Sequence, residues 1–181
     1  MKKGAKAQEP AANDEALPPL GEVLDFMRLL WSIDHGLQTT SKRMEATLGV
    51  TGLQRMVLRL VGRFPGISAG HLARILHVHP STLTGVLKRI EDRQWVTRSA
   101  DPLDARRALF TLTGKGRTLD IPATGTVEAA VQRALERVPQ AKITAARELL
   151  AALSEELGAV PVSLSLGNKA SRSAKAKRAR R

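Results

Sequence analysis

The apolar positions set long helical stripes at the two ends of the chain and shorter units between them. From Leu20 to Leu48, Val23, Phe26, Leu30, Ile33, Leu37, Thr40 and Met44 step by three and four, the spacing of one face of an α-helix. Leu24, Met27 and Trp31 add a second strip beside the first. A helix with two adjoining apolar strips needs cover on more than one side, and in a chain of 181 residues a second copy of the protein can supply it. Toward the other end, Val127, Val131, Leu135 and Val138 form one stripe, and Ile143, Ala146, Leu150, Leu153 and Leu157 form another. Pro122 and Gly125 predict a kink in the segment that carries the first of these.

Between the ends the pattern predicts three short helices. Thr51-x-x-Gln54 is a capping box ahead of Leu53, Val57, Leu60, Val61 and Phe64, and Pro65-Gly66 ends that helix. Ser68 is placed as the N-cap of a second helix carrying Leu72, Ile75 and Leu76. The turn His77-Val78-His79 leads to Pro80 as the first residue of a third, with Leu83, Val86, Leu87 and Ile90 on its inner face and an end near Arg93. The period then changes. Trp95–Arg98 and Ala108–Leu112 are short and β-prone, and they flank a polar loop from Ser99 to Arg107 with Asp101-Pro102 as its turn former. Thr113 caps the next helix through Gly114-Lys115-Gly116. Helix, helix, turn, helix, strand, loop, strand is the order of a winged helix-turn-helix, so the predicted fold is mainly α with a small β-wing.

Composition removes several function classes. No Cys is present, which excludes disulfides, thiolate metal sites and thiol redox switches. Tyr is absent and Phe and Trp are few, which argues against proteins that stack exposed bases on aromatic platforms. No apolar run approaches the ~18 residues of a membrane span, and Met1 to Leu20 has no apolar signal region. The expectation is a soluble intracellular protein with no membrane partner.

The net charge of +12 is unevenly spread: residues 1–20 balance to zero, and residues 169–181 carry seven basic side chains and no acid. That end is read as a disordered basic tail that favours polyanions, chiefly nucleic acid, with an anionic membrane surface or a merely solubilising role as alternatives.

The third short helix offers Ser81, Thr82 and Thr84 on its outer face, then Lys88 and Arg89 one turn on, with Gly85 keeping the surface low. Short donors and acceptors near the start of such a helix allow close approach to base edges in the major groove, and the basic pair can reach guanine or phosphate. The plainer alternative is an amphipathic helix whose polar side faces water. A wing ending in Arg106-Arg107 can lie along a minor groove, where negative potential concentrates, and Asp104 is close enough in sequence to hold the Arg106 guanidinium. Its alternative is a charged surface hairpin. Both features in this order on a net-basic body point to DNA.

The runs Ser68-Ala-Gly-His-Leu-Ala, Pro80-Ser-Thr-Leu-Thr-Gly-Val-Leu-Lys-Arg-Ile-Glu, Trp95-Val-Thr-Arg, Asp101-Pro-Leu-Asp-Ala-Arg-Arg and Leu112-Thr-Gly-Lys-Gly together resemble the MarR family of bacterial transcription regulators. The resemblance spans about residues 20–158 and is strongest from Ser68 to Gly116. It implies a homodimer joined by the first and last helices, a near-palindromic double-stranded DNA operator, and a repressor released by a small-molecule effector, in the bacterial cytoplasm at the nucleoid. By position it makes Ser81, Thr82, Thr84, Lys88 and Arg89 the recognition residues, Arg106 the minor-groove arginine with Asp104 its partner, and Arg107 its neighbour in the wing. It divides the chain into a flexible segment 1–19, a body 20–158 and a basic disordered tail 159–181. Within the body, 20–48 and 114–158 are dimerisation helices and 51–112 the winged helix-turn-helix. The Thr-Leu-Thr run is similar to the hydroperoxide-sensing branch, but that branch senses through a cysteine this chain lacks. The tail lies outside the family pattern.

Trp31 and His35, one turn apart on the first helix, are candidates for the ligand pocket, with core packing for Trp31 and a solvent or interface role for His35 as alternatives. His77-x-His79 resembles a metal pair, yet either histidine serves as well to cap a helix or touch phosphate, so no metal and no cofactor are assigned. No phosphate-cradling glycine loop or catalytic constellation is present, and the reading is not an enzyme. Two rivals stand beside a sequence-specific regulator: an architectural DNA-binding protein that works through tail and wing without sequence preference, and a protein-interaction module built on the same fold.

Overall fold

The computed structural model describes residues 19–158. The elements run α1 (Glu22–Leu48), α2 (Gly52–Arg63), β1 (Ile67–Ser68), α3 (Ala69–Leu76), α4 (Pro80–Asp92), β2 (Val96–Asp101), β3 (Asp104–Leu112), α5 (Gly114–Leu119), α6 (Val127–Glu136) and α7 (Gln140–Glu156). The chain divides into two compact units at Gly36/Leu37, within α1. The tail from 159 and residues 1–18 lie outside the described residues.

In the second unit the helix starts follow from their caps. Thr51 Oγ1 accepts the Gln54 N–H at 3.3 Å while Gln54 Oε1 accepts the Thr51 N–H at 3.0 Å, the reciprocal pair that the sequence predicts for α2. Ser68, Thr113 and Thr126 cap α3, α5 and α6 in the same way with their hydroxyls. One buried cluster results. Val57, Leu58 and Val61 of α2, Leu72 of α3, the whole inner face of α4 (Leu83, Val86, Leu87, Ile90) and Trp95, Phe110 and Leu112 of the sheet region all pack in it. Phe64, expected on the inner face of α2, is instead exposed.

The sheet departs from expectation in two ways. It has three strands in the order β1-β3-β2, all antiparallel, because Ile67 and Ser68 pair with Phe110 and Leu109. A two-residue strand leaves no period to read. The polar stretch Ser99–Arg107 is also mostly strand: β2 and β3 extend through it, with a bulge at Ala100/Asp101, and only Pro102 and Leu103 form the tip. Cross-strand pairing overrides the low β-propensity of these polar residues.

Around Pro122 and Gly125 the chain breaks rather than kinks, separating α5 from α6. Two arginines of α2 fasten that break. Arg55, 2% exposed, donates to the carbonyls of Leu119 at 2.7 Å and Ile121 at 2.8 Å and pairs with Glu128 of α6. Arg59 pairs with Asp120 at 2.9 Å. A Cβ on Gly62 would press on the Asp120 carboxylate and so disturb its pairing with Arg59.

The unit cores do not account for every apolar residue. In the first unit, Val23, Leu24, Trp31 and Ile33 are exposed, so Trp31 is not a core residue. In the second unit α6 has no buried residue and α7 only Ile143, leaving Val131, Leu135, Val138 and Leu150 exposed. No helix among the described residues is long and apolar enough to cross a membrane.

Candidate nucleic-acid interface

The turn between α3 and α4 is built by its two histidines. His77 takes the left-handed conformation (φ 51°) that ends α3. His79 Nδ1 accepts the Ser81 N–H at 3.3 Å as the N-cap of α4, and Pro80 follows as the first helical residue, where its missing N–H is no loss. Both histidines therefore have capping roles. Among the described residues no group of three or more His, Asp or Glu side chains is placed to hold a metal.

With Leu83, Val86, Leu87 and Ile90 locked in the core, α4 has one possible outward face, and Ser81, Thr82, Thr84, Lys88 and Arg89 are all exposed on it. The three hydroxyls differ in commitment. Ser81 Oγ lies 2.7 Å from His79 Nδ1, and Thr84 Oγ1 donates to the Pro80 carbonyl at 2.8 Å. Thr82 has no hydrogen-bond partner among the described residues, so both its donor and its acceptor capacity face outward. Lys88 is loosely paired with Asp92 at 3.3 Å, an exposed i,i+4 pair of little stability. Gly85 sits one turn from Ser81, and a Cβ there would meet nothing within 4 Å. The fold does not require that glycine.

In the wing, two aspartates pin the tip. Asp101 Oδ1 accepts the Leu103 N–H at 2.9 Å, and Asp104 Oδ1 accepts the Arg106 N–H at 3.1 Å. Asp104 thus holds the backbone N–H of Arg106, and no ion pair joins it to the Arg106 guanidinium among the described residues. The ion pair of the wing is a different one, Arg107 to Asp101 at 3.7 Å. Arg106 and Arg107 are both exposed.

Arg74 of α3 and Arg98 of β2, which nothing in the sequence singles out, stand beside the wing arginines. A lone arginine on a short helix and another in a strand carry no signal until the sheet brings them together. A separate cavity of about 740 Å³ opens between α2, α6 and α7, with Met56, Val131, Leu135 and Ile143 as apolar lining and Arg59 and Arg147 among its charged residues. Trp31 and His35 are exposed on α1 in the other unit.

An exposed polar helix face held rigidly beside an arginine-bearing hairpin can present hydrogen-bonding groups and positive charge to a grooved polyanion. Comparisons with known proteins bear on that surface. A family model described as "MarR family" matches residues 48–107. The HTH-type transcriptional repressor Mb2911 of Mycobacterium bovis is 34% identical over 110 residues, which is 61% of this chain and 79% of that protein. Among solved structures, the S. aureus MepR–DNA complex has a TM-score of 0.62 at 19% identity, covering 73% of this chain and 97% of that one. Streptococcus pneumoniae FabT in complex with DNA gives 0.58 at 18% identity, covering 76% and 98%.

Proposed function

Because the chain belongs to the MarR family, we propose that it is a transcription regulator that binds double-stranded DNA and acts as a homodimeric repressor on a near-palindromic operator. The observation that carries this reading is the α4 face. Its inner residues are fully used by the core, and its outer face is a set of exposed short hydroxyls and basic side chains next to an arginine wing. In this reading Ser81, Thr82, Thr84, Lys88 and Arg89 read the major groove, and Arg106 and Arg107 enter the minor groove with Asp104 fixing the turn that presents them. The exposed apolar stripes of α1, α6 and α7 support a second protomer as their cover. The repressor role follows the relative Mb2911. A small effector of largely apolar character fits the cavity walled by α2, α6 and α7. Trp31 and His35, exposed one helical turn apart on α1 and absent from the lining of that cavity, are proposed as a separate ligand-contact surface.

The seven basic residues of 169–181 favour a second reading, an architectural protein whose affinity is mainly electrostatic. Alanine at Ser81 with valine at Thr82 and Thr84 separates the two. The regulator reading predicts that base preference disappears while bulk affinity for duplex DNA persists. Loss of affinity only on removing 169–181, with the α4 variant unchanged, supports the architectural protein instead.

A further inference from the structure

Two clefts flank the base of the wing, and neither has a carboxylate in its lining. The first, about 340 Å³, lies between the start of α3 and β3 and is walled by His71, Arg74, Arg106 and Arg107, with Ala69 and Gly70 beside them. The second, about 260 Å³, lies on the β2 side and is walled by Arg98, Ser99, Arg106 and Arg107. Arg106 and Arg107 are neighbours in β3, so their side chains leave opposite faces of the strand and the pair reaches both clefts. Arg107 has Asp101 at 3.7 Å, while Arg74, Arg98 and Arg106 have no ion-pair partner among the described residues. Like charges gathered without acids repel one another, and the core does not require the arrangement, since all four arginines are exposed. The first cleft also meets the first turn of α3, where the N–H groups of Ala69 and Gly70 have no intrahelical acceptor and the helix end favours an anion. A Cβ on Gly70 would meet nothing within 4 Å, so the backbone there is open to close approach.

We infer that the two clefts seat DNA phosphates on either side of the wing, one held by Arg74 and the other by Arg98, with the Arg106–Arg107 pair between them. This rests on the DNA-binding reading above and extends it to residues outside the recognition helix and the wing tip. A hairpin entering a minor groove has one strand's phosphates on each flank, and guanidinium groups there position the protein without reading sequence.

The test uses the full chain, R74A, R98A, the double variant and R74K, each titrated from 50 to 200 mM salt, roughly the range in which phosphate contacts dominate the change in affinity. Two duplexes of equal length are compared, one enriched by selection on this protein and one of random sequence. Each alanine variant is expected to weaken both duplexes by the same factor and to reduce the log–log salt slope by about 0.9 for each protomer bound. The double variant should show the sum, and R74K, which keeps the charge, should restore most of the slope. Unchanged melting temperatures confirm that the exposed substitutions leave the fold intact. Unchanged slopes, or a loss confined to the selected duplex, overturn the phosphate seats while leaving DNA binding in place. Failure of the wild-type chain to bind either duplex overturns the DNA reading and this inference with it.

Discussion

Arg55 of α2 is buried and paired with Glu128 of α6, and the same guanidinium closes on the carbonyls of Leu119 and Ile121. One side chain thus ties the α2 end of the helix-turn-helix core to the start of the C-terminal helices. Because Glu128 also lines the 740 Å³ cavity, a ligand there would touch the group that holds this tie. Arg55→Ala removes the donor to both carbonyls and the partner of Glu128, about 3–5 kcal/mol in all, whereas Glu128→Gln keeps an acceptor in place and removes only the counter-charge of the buried guanidinium, so it should cost less. Denaturant unfolding of the two variants checks the ordering. Equal, small losses would show that the tie contributes little.

Gly116 is set against the Trp95 carbonyl, where a Cβ would collide with backbone. The Leu-Thr-x-x-Gly pattern therefore has a steric reason: Thr113 caps α5 and its hydroxyl also donates to the Gln94 carbonyl at 2.7 Å, drawing the helix onto the turn before β2. Gly116→Ala should destabilise by about 1–3 kcal/mol or more, read as a lower denaturation midpoint at unchanged slope. A wild-type midpoint would mean that the contact relaxes freely.

Gly85 gives the opposite case. No neighbour fills the space above it, and a glycine inside a helix is about 1 kcal/mol less favourable than alanine. Gly85→Ala should raise the melting temperature and at the same time weaken binding to a selected duplex, because the added methyl stands on the face that meets the groove. Tighter or unchanged binding would place the DNA elsewhere.

The exposed stripes make a statement about assembly. Val131 and Leu135 on α6 and Leu150 on α7 are each more than two-fifths exposed, a poor arrangement for an isolated chain. Sedimentation of the wild type at micromolar concentration should give a dimer, and Leu150→Glu should shift it toward monomer with loss of thermal stability. A monomeric wild type contradicts the assembly.

Legibility followed periodicity and caps. Thr51, Ser68, Pro80 and Thr113 mark their helices because a cap is local chemistry, and the inner face of α4 is readable because four leucine, valine and isoleucine positions repeat at helical spacing. The outer face is then legible by subtraction. What failed depended on partners distant in sequence. β1 exists because β3 pairs with it, and the wing strands extend because they pair with each other. Nothing in the sequence near Arg55 announces its burial, because the Leu119 and Ile121 carbonyls and Glu128 that surround it are more than sixty positions away. The contact of Asp104 differs from expectation for a related reason: spacing brings it near Arg106 but does not say whether backbone or side chain receives it.

The most direct measurement is selection of bound sequences from random duplexes at near-physiological salt, with the full chain and with residues 1–168. An inverted repeat with half-sites about one helical turn apart, roughly 34 Å, recovered with both, is the predicted result. No enriched sequence with either, and binding lost on truncation, would contradict a symmetric reader that works through α4 and the wing.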